Sequence, residues 1–160
     1  MIILGIGDYG VTSDPRETLK TIGLGSCVAV VCSDPSIPLA GMIHIVLPDS
    51  AAAQGGGRHP PGYFADTGIP EFFRNLANVG YVPGKGKLMV KLIGGANMMD
   101  TQGTFNIGKR NALAAKKILW GMGLGPAAED LGGSISRTVC VETGTGRVTI
   151  ATPGLPVKEL

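Results

Sequence analysis

The chain has 160 residues, 44% hydrophobic and 16% charged, with a formal net charge of +2; this fits one soluble domain over residues 1–160 with a sizeable core. So small a charge, with Lys85, Lys87, Lys91, Lys116 and Lys117 scattered and no basic stretch interleaved with aromatics, excludes a dedicated nucleic-acid or polyanion binder. No apolar run approaches a bilayer span, and only four residues precede the first glycine, too few for a signal core, so a cytoplasmic location is expected.

In chain order, IILGIG starts a strand, and VTSDPRETLKT reads as a polar connection in which Pro15 discourages an early helix. Gly5, Gly7 and Gly10 match a dinucleotide-binding spacing after a strand. That motif needs a helix directly behind it to hold pyrophosphate, and here Val, Thr, Ser, Asp and Pro15 follow instead, so nucleotide binding is set aside.

The next two runs, CVAVVC and LAGMIHIVLP, flank the turn signal SDPSIP and predict an antiparallel hairpin. A turn symmetric about Pro35 and Ser36 sets Cys27 directly opposite His44, on one face of the ladder. An imidazole beside a thiol supports a thiolate near neutral pH and serves afterwards as proton donor, the logic of a nucleophile with its acid/base. A one-residue slip would send the two side chains to opposite faces. The competing reading makes Cys27 a small core residue and His44 a core histidine satisfied by a carbonyl. The run GLGSC favours the first, because Gly23 and Gly25 relax the backbone before the thiol, and successive N–H groups around Gly25, Ser26 and Cys27 are suited to hold an oxyanion.

Residues 50 to 62, SAAAQGGGRHPPG, predict a mobile loop able to cover the site, with His59 as a solvent-exposed histidine ranking behind His44. Asp66 or Thr67 is expected to cap a short helix through IPEFFRNLANVG, with Pro70 near its first turn, Gly80 at its stop and an apolar face of Ile69, Phe72, Phe73 and Leu76. KLMVKLIGG reads as a strand ending in glycines. Asn106 then caps a stronger helix, IGKRNALAAKKILWGMG, with Ile107, Leu113, Ile118 and Leu119 giving partial periodicity. RTVCVETGTGRVTIA closes a second hairpin at TGTG. Helices alternating with hairpins predict an α/β domain of the α+β type with a mostly antiparallel sheet core. Three cysteines, Cys27, Cys32 and Cys140, without CxxC spacing point to neither a disulfide framework nor a zinc site, and no metal or organic cofactor is called for.

Six segments in this order, TIGLGSCVAV, GMIHIVLPDS, YFAD, KLIGGANMM, NIGKRN and EDLGGSISR, resemble the CheD family of bacterial chemoreceptor glutamine deamidases nearly end to end. The resemblance implies Cys27 as nucleophile, His44 as general acid/base and Thr21 as the residue that orients the imidazole. It also implies a β-sandwich core flanked by helices, similar to toxin deamidases of the cytotoxic necrotizing factor type. The implied partners are the cytoplasmic domains of methyl-accepting chemoreceptors and a CheC-type chemotaxis phosphatase. Phe64, Met99 and Ser136 depart from the residues expected of the family; none is in the triad. The rival readings are a binding module that chiefly regulates such a phosphatase and, more distantly, a cysteine hydrolase of another amide.

Overall fold

The apolar, β-branched runs of this chain pair into two five-stranded sheets. The computed structural model describes residues 1–53, 57–98 and 106–160. The first sheet has the order β1 (Ile2–Leu4), β3 (Thr18–Leu24), β8 (Arg137–Glu142), β9 (Val148–Ala151) and β10 (Lys158–Glu159). The second has the order β2 (Tyr9–Thr12), β5 (Ala40–Ile45), β4 (Val28–Ser33), β6 (Met89–Gly94) and β7 (Ala128–Leu131). All pairs are antiparallel except β1 with β3 and β6 with β7.

Strands β4 and β5 are buried along their whole length, because alternate side chains enter two different cores. Ala29, Val31, Ala40 and Met42 meet Leu19, Leu24, Val139, Val141, Val148 and Ile150 between the sheets. Val28, Val30, Cys32, Ile43 and Ile45 face the other way, against α1 (Ala65–Asn78) and α2 (Ile107–Gly121). The layers therefore run sheet, sheet, helices: an α+β sandwich, as expected, with both helices on one face. Fully buried side chains such as Phe72 and Leu119 each contribute about 1.5–3 kcal/mol by leaving water.

Several local expectations need correcting. The first polar connection contains β2, whose Val11 and Thr12 pair with Gly41 and Ala40. The segment GIGDYG runs from β1 straight into β2; Gly7, at φ 78°, lies where a Cβ would strike the Tyr63 ring, so packing explains that glycine. Helix α1 begins at Ala65 rather than behind Asp66 or Thr67. Phe64 bridges to Leu47, and the Leu47 carbonyl accepts the Ala65 N–H at 2.9 Å, so backbone pairing starts the helix. Pro70 consequently falls in the second turn, while Ile69, Phe72, Phe73 and Leu76 form the buried face as expected.

Helix α2 does begin after Asn106, but that residue is left-handed (φ 50°) and its side chain makes no cap hydrogen bond. Its inner face is Gly108, Asn111, Ala112, Ala115 and Leu119, and Leu113 is exposed. The face is built of small residues because Gly108 sits hard against the carbonyls of Gly95 and Ala96, leaving no room for a side chain. In the 50–62 stretch, Ser50–Ala52 form one 3-10 turn and Gly62 N–H donates to the Gly7 carbonyl at 2.7 Å. Residues 54–56, on which a covering role would depend, lie outside the described residues, as does Met99. Among the described residues no helix is long and apolar enough to cross a membrane.

Candidate active site

The site forms where the two sheets meet the loop between β3 and β4. Near its end β3 carries a bulge: Thr21 pairs with Val139 and Leu24 with Arg137, so one extra residue is accommodated, with Gly23 at φ 73°. The extra residue lets Thr21 and Leu24 both point inward while Ile22 is turned out to solvent. The chain then passes through Gly25 and Ser26 to Cys27.

All three carbonyls of that loop are tied away from the thiol. Ala96 N–H donates to Gly25 O (2.9 Å), Asn111 Nδ2 to Ser26 O (3.0 Å) and Gly95 N–H to Cys27 O (2.8 Å). A trans peptide points its N–H opposite to its carbonyl. The N–H groups of Ser26 and Cys27 are therefore turned the other way, and neither has a backbone partner among the described residues. Gly94 and Gly95 make the clamp possible: both are left-handed, and a side chain at Gly94 would collide with the Cys27 carbonyl. Arg137, buried in β8, donates to the Gly94 carbonyl at 3.3 Å and to Asp130 Oδ1 at 3.1 Å, tying this glycine corner to the other sheet.

The hairpin register differs from the expected one. Ala29, not Cys27, lies opposite His44, and Val28 lies opposite Ile45. The reason is the turn: Asp34 Oδ1 accepts the Ser36 N–H (2.8 Å) and Asp34 Oδ2 the Lys87 N–H (3.0 Å), and this side-chain-braced turn keeps Ser33 paired with Ala40. The difference is two residues, which preserves the face. Cys27, one position before β4, is diagonal to His44 on the inter-sheet side, where it packs at the edge of the inter-sheet core.

His44 is fully buried. Its backbone N–H is held by the Asp8 carbonyl (2.9 Å), and its Nδ1 lies 2.7 Å from Thr21 Oγ1 on the opposite sheet. Thr21 Oγ1–H donates to the Leu4 carbonyl at 3.0 Å. A hydroxyl has one proton, so with that proton on Leu4 the oxygen accepts Nδ1–H from the imidazole. The tautomer is thereby fixed, with Nε2 carrying the lone pair, and Nε2 has no partner among the described residues.

Burial pushes the His44 pKa down to about 4, a fall only partly opposed by the carboxylate of Asp8. Burial likewise raises the Cys27 thiol, against the pull of its own N–H. Desolvation thus penalises both charged forms and favours a neutral thiol beside a neutral imidazole, working against the thiolate that adjacency alone would support. An acid-stability signature follows. Unfolded chains take up a proton on this histidine near pH 6.5 and the folded protein only near about 4. Stability should thus fall by about 3 kcal/mol as pH drops from 6.5 to about 4. Urea unfolding of wild type and His44→Gln across this range checks it: the variant should lack that component of the slope.

His44 and Thr21 are thus bonded across the sheets, and Cys27, led by Gly25 and Ser26, stands one diagonal step along the ladder on the same face. His59 does not join them; it is exposed, its ring against Tyr63 (4.4 Å) and Phe64 (5.1 Å). The sequence reading missed Asn111, the Leu4 carbonyl and the N–H groups of Gly95 and Ala96. Only Asn111 left a signal: a polar residue interrupting the small, buried face of α2.

Chemistry at such a site runs through sulfur, with a bare imidazole nitrogen to take and return one proton and amide dipoles to hold a developing negative oxygen. A thiol, an imidazole nitrogen and outward-turned amides are the parts that acyl transfer uses, so the class this α+β sandwich fits is a hydrolase. More particularly, the chain belongs to the CheD family. The family model described as "CheD chemotactic sensory transduction" matches residues 46–152. "Probable chemoreceptor glutamine deamidase CheD" of Syntrophotalea carbinolica is 50% identical over 96% of this chain and 94% of its own length. "Chemoreceptor glutamine deamidase CheD" of Thermotoga maritima is 38% identical over 99% and 98%, and a Solibacter usitatus relative 43% identical over 96% and 89%. The family-model match starts just past His44, so these near full-length alignments extend the likeness to the strands that carry the site.

Proposed function

We propose that this protein is a protein-glutamine deamidase of methyl-accepting chemoreceptors, converting chosen glutamine side chains to glutamate through a Cys27 thioester. The observation that carries the chemistry is the Leu4–Thr21–His44 relay, which leaves a bare Nε2 on the face shared with Cys27. The names of the relatives above supply the substrate class.

In this reading His44 Nε2 takes the thiol proton as sulfur attacks the side-chain amide carbon. The carbonyl oxygen becomes an oxyanion held by the N–H groups of Ser26 and Cys27, in the loop that Gly25 leads. The C–N bond then breaks, His44 returns its proton to the departing nitrogen, and ammonia leaves. Water, deprotonated by His44, attacks the thioester; carbon–sulfur cleavage restores the thiol and releases glutamate. One water is consumed and one ammonia formed. Since a neutral thiol is favoured, proton transfer accompanies attack. Exposed Ile22 and Met98, the latter against Gly25, give the loop an apolar rim suited to a glutamine borne on a receptor helix. The same reading has residues 1–160 acting as one domain in the cytoplasm, with a CheC-type phosphatase as second partner.

The test is peptide mass spectrometry of a chemoreceptor cytoplasmic domain incubated with the protein. Glutamine-to-glutamate conversion without backbone cleavage is expected; an unchanged receptor, with folded enzyme and cognate receptor, would overturn the proposal. Thr21→Val, which keeps shape and removes the hydroxyl, should lower kcat about 10- to 100-fold by releasing the tautomer. It should cost about 1–3 kcal/mol of stability by stranding the Leu4 carbonyl and Nδ1. Thr21→Ser should recover most of both, measured as initial deamidation rate and Tm.

A further inference from the structure

We infer that Asn111 is a positioning residue that aims one oxyanion donor of the site, the Cys27 N–H. It lies on the inner face of α2, fully buried, and its single amide nitrogen spends both hydrogens on two main-chain carbonyls: Ser26 O at 3.0 Å and Val46 O at 2.9 Å. The first carbonyl belongs to the peptide whose N–H is that of Cys27. The second follows the end of β5, two residues beyond His44. One side chain therefore sets the rotation of the Ser26–Cys27 peptide and fastens it to the strand that carries the imidazole.

The neighbouring contacts make that rotation depend on Asn111. Gly25 O and Cys27 O are bound by the backbone of Ala96 and Gly95, but Ser26 O, the carbonyl between them, has the Asn111 side chain as its partner. Release of that carbonyl frees the peptide plane to turn, and with it the Cys27 N–H that must meet an oxyanion. A second feature points to the same place: Asn111 Oδ1 is buried without a hydrogen-bond partner among the described residues. An unpaired buried oxygen costs stability, so the amide is kept for what its nitrogen does. Asn111 touches neither the thiol nor the imidazole and acts only through the backbone.

This inference rests on the reading of Cys27 as the acyl-accepting nucleophile, and its test uses no receptor. Two reactions of Cys27 are compared in wild type, Asn111→Ala and Asn111→Leu. Acylation by p-nitrophenyl acetate passes through a tetrahedral oxyanion; alkylation by iodoacetamide attacks a saturated carbon and has none. Each is followed at Cys27 by peptide mass spectrometry, so that Cys32 and Cys140 do not contribute. Alanine leaves space for a water to satisfy the two carbonyls, and leucine keeps the volume without donors. The expected result is a fall in acylation of about 10²-fold in both variants, with alkylation close to wild type. Acylation that persists in the variants, or acylation and alkylation falling together, would overturn the inference while leaving the nucleophile in place. Failure of both variants to fold would assign Asn111 to the fold alone and overturn it equally. A wild-type protein alkylated but never acylated at Cys27 would sink the nucleophile reading, and the inference with it.

Discussion

Cys27→Ala is expected to lower glutamine conversion by on the order of 10⁴-fold or more, because it removes the atom that forms the thioester. Neither other cysteine can stand in. Cys32 lies on the opposite face of β4, against the helices, and burial pushes its pKa far above the ordinary thiol range. Cys140 alternates along β8 with the inward Val139 and Val141, which places it on the outer face of the first sheet. Cys27→Ser should be nearly as inactive, since an imidazole held near pKa 4 is too weak a base for an alcohol. The fold should survive: Cys27 heads β4 and packs only at the edge of the inter-sheet core, so a loss on the order of 1 kcal/mol is expected. Deamidation assays beside thermal melts check both parts, and conversion by a folded Cys27→Ala protein at a wild-type rate would remove the nucleophile from the scheme.

His44→Gln should reduce kcat about 10²- to 10⁴-fold, the usual range for losing a general acid/base. The pH dependence gives this prediction a specific form. With the thiol raised and the imidazole lowered, the proposed scheme requires His44 to remove the thiol proton throughout the neutral range. As pH rises toward the thiol's own pKa, hydroxide supplies the thiolate. The deficit of the variant in acylation by p-nitrophenyl acetate, whose leaving group needs no proton, should therefore narrow steadily. On the glutamine substrate the deficit should persist, because departing ammonia still needs a proton donor. A variant deficit that is equal on both substrates at every pH would show that His44 does not serve the thiol. Glutamine keeps a polar side chain of similar size beside Thr21, and thermal melts run alongside separate a loss of fold from a loss of chemistry.

How much of this site could be read before folding depended on how local each relation was. The hairpin of Cys27 and His44 is a short-range object: two β-branched runs around a proline turn fix its existence. Its face was also legible, since the actual register differs from the symmetric one by two residues and side chains repeat every two. The register itself was not, because Asp34 braces the turn partly through Lys87, which belongs to a segment far along the chain. Thr21 illustrates the same boundary. Pattern alone makes it an ordinary strand residue, and only resemblance singled it out. Its hydroxyl meets His44 because Thr21 follows Leu19 on the inward face of β3 and the two sheets stack.

The sequence by itself determined the class of fold, the thiol and imidazole, the glycine-rich approach to the thiol and the family to which the chain belongs, since each is written in local pattern or in ordered motifs. Tertiary structure alone decided the protonation of the pair, because desolvation depends on what the sandwich packs over His44 and Cys27. It also decided the tautomer, through a carbonyl of β1, and the partner of the Ser26 carbonyl, through Asn111 on a helix 85 positions away. Those are contacts between segments distant in sequence, and no periodicity or propensity encodes which backbone carbonyl a buried amide will find.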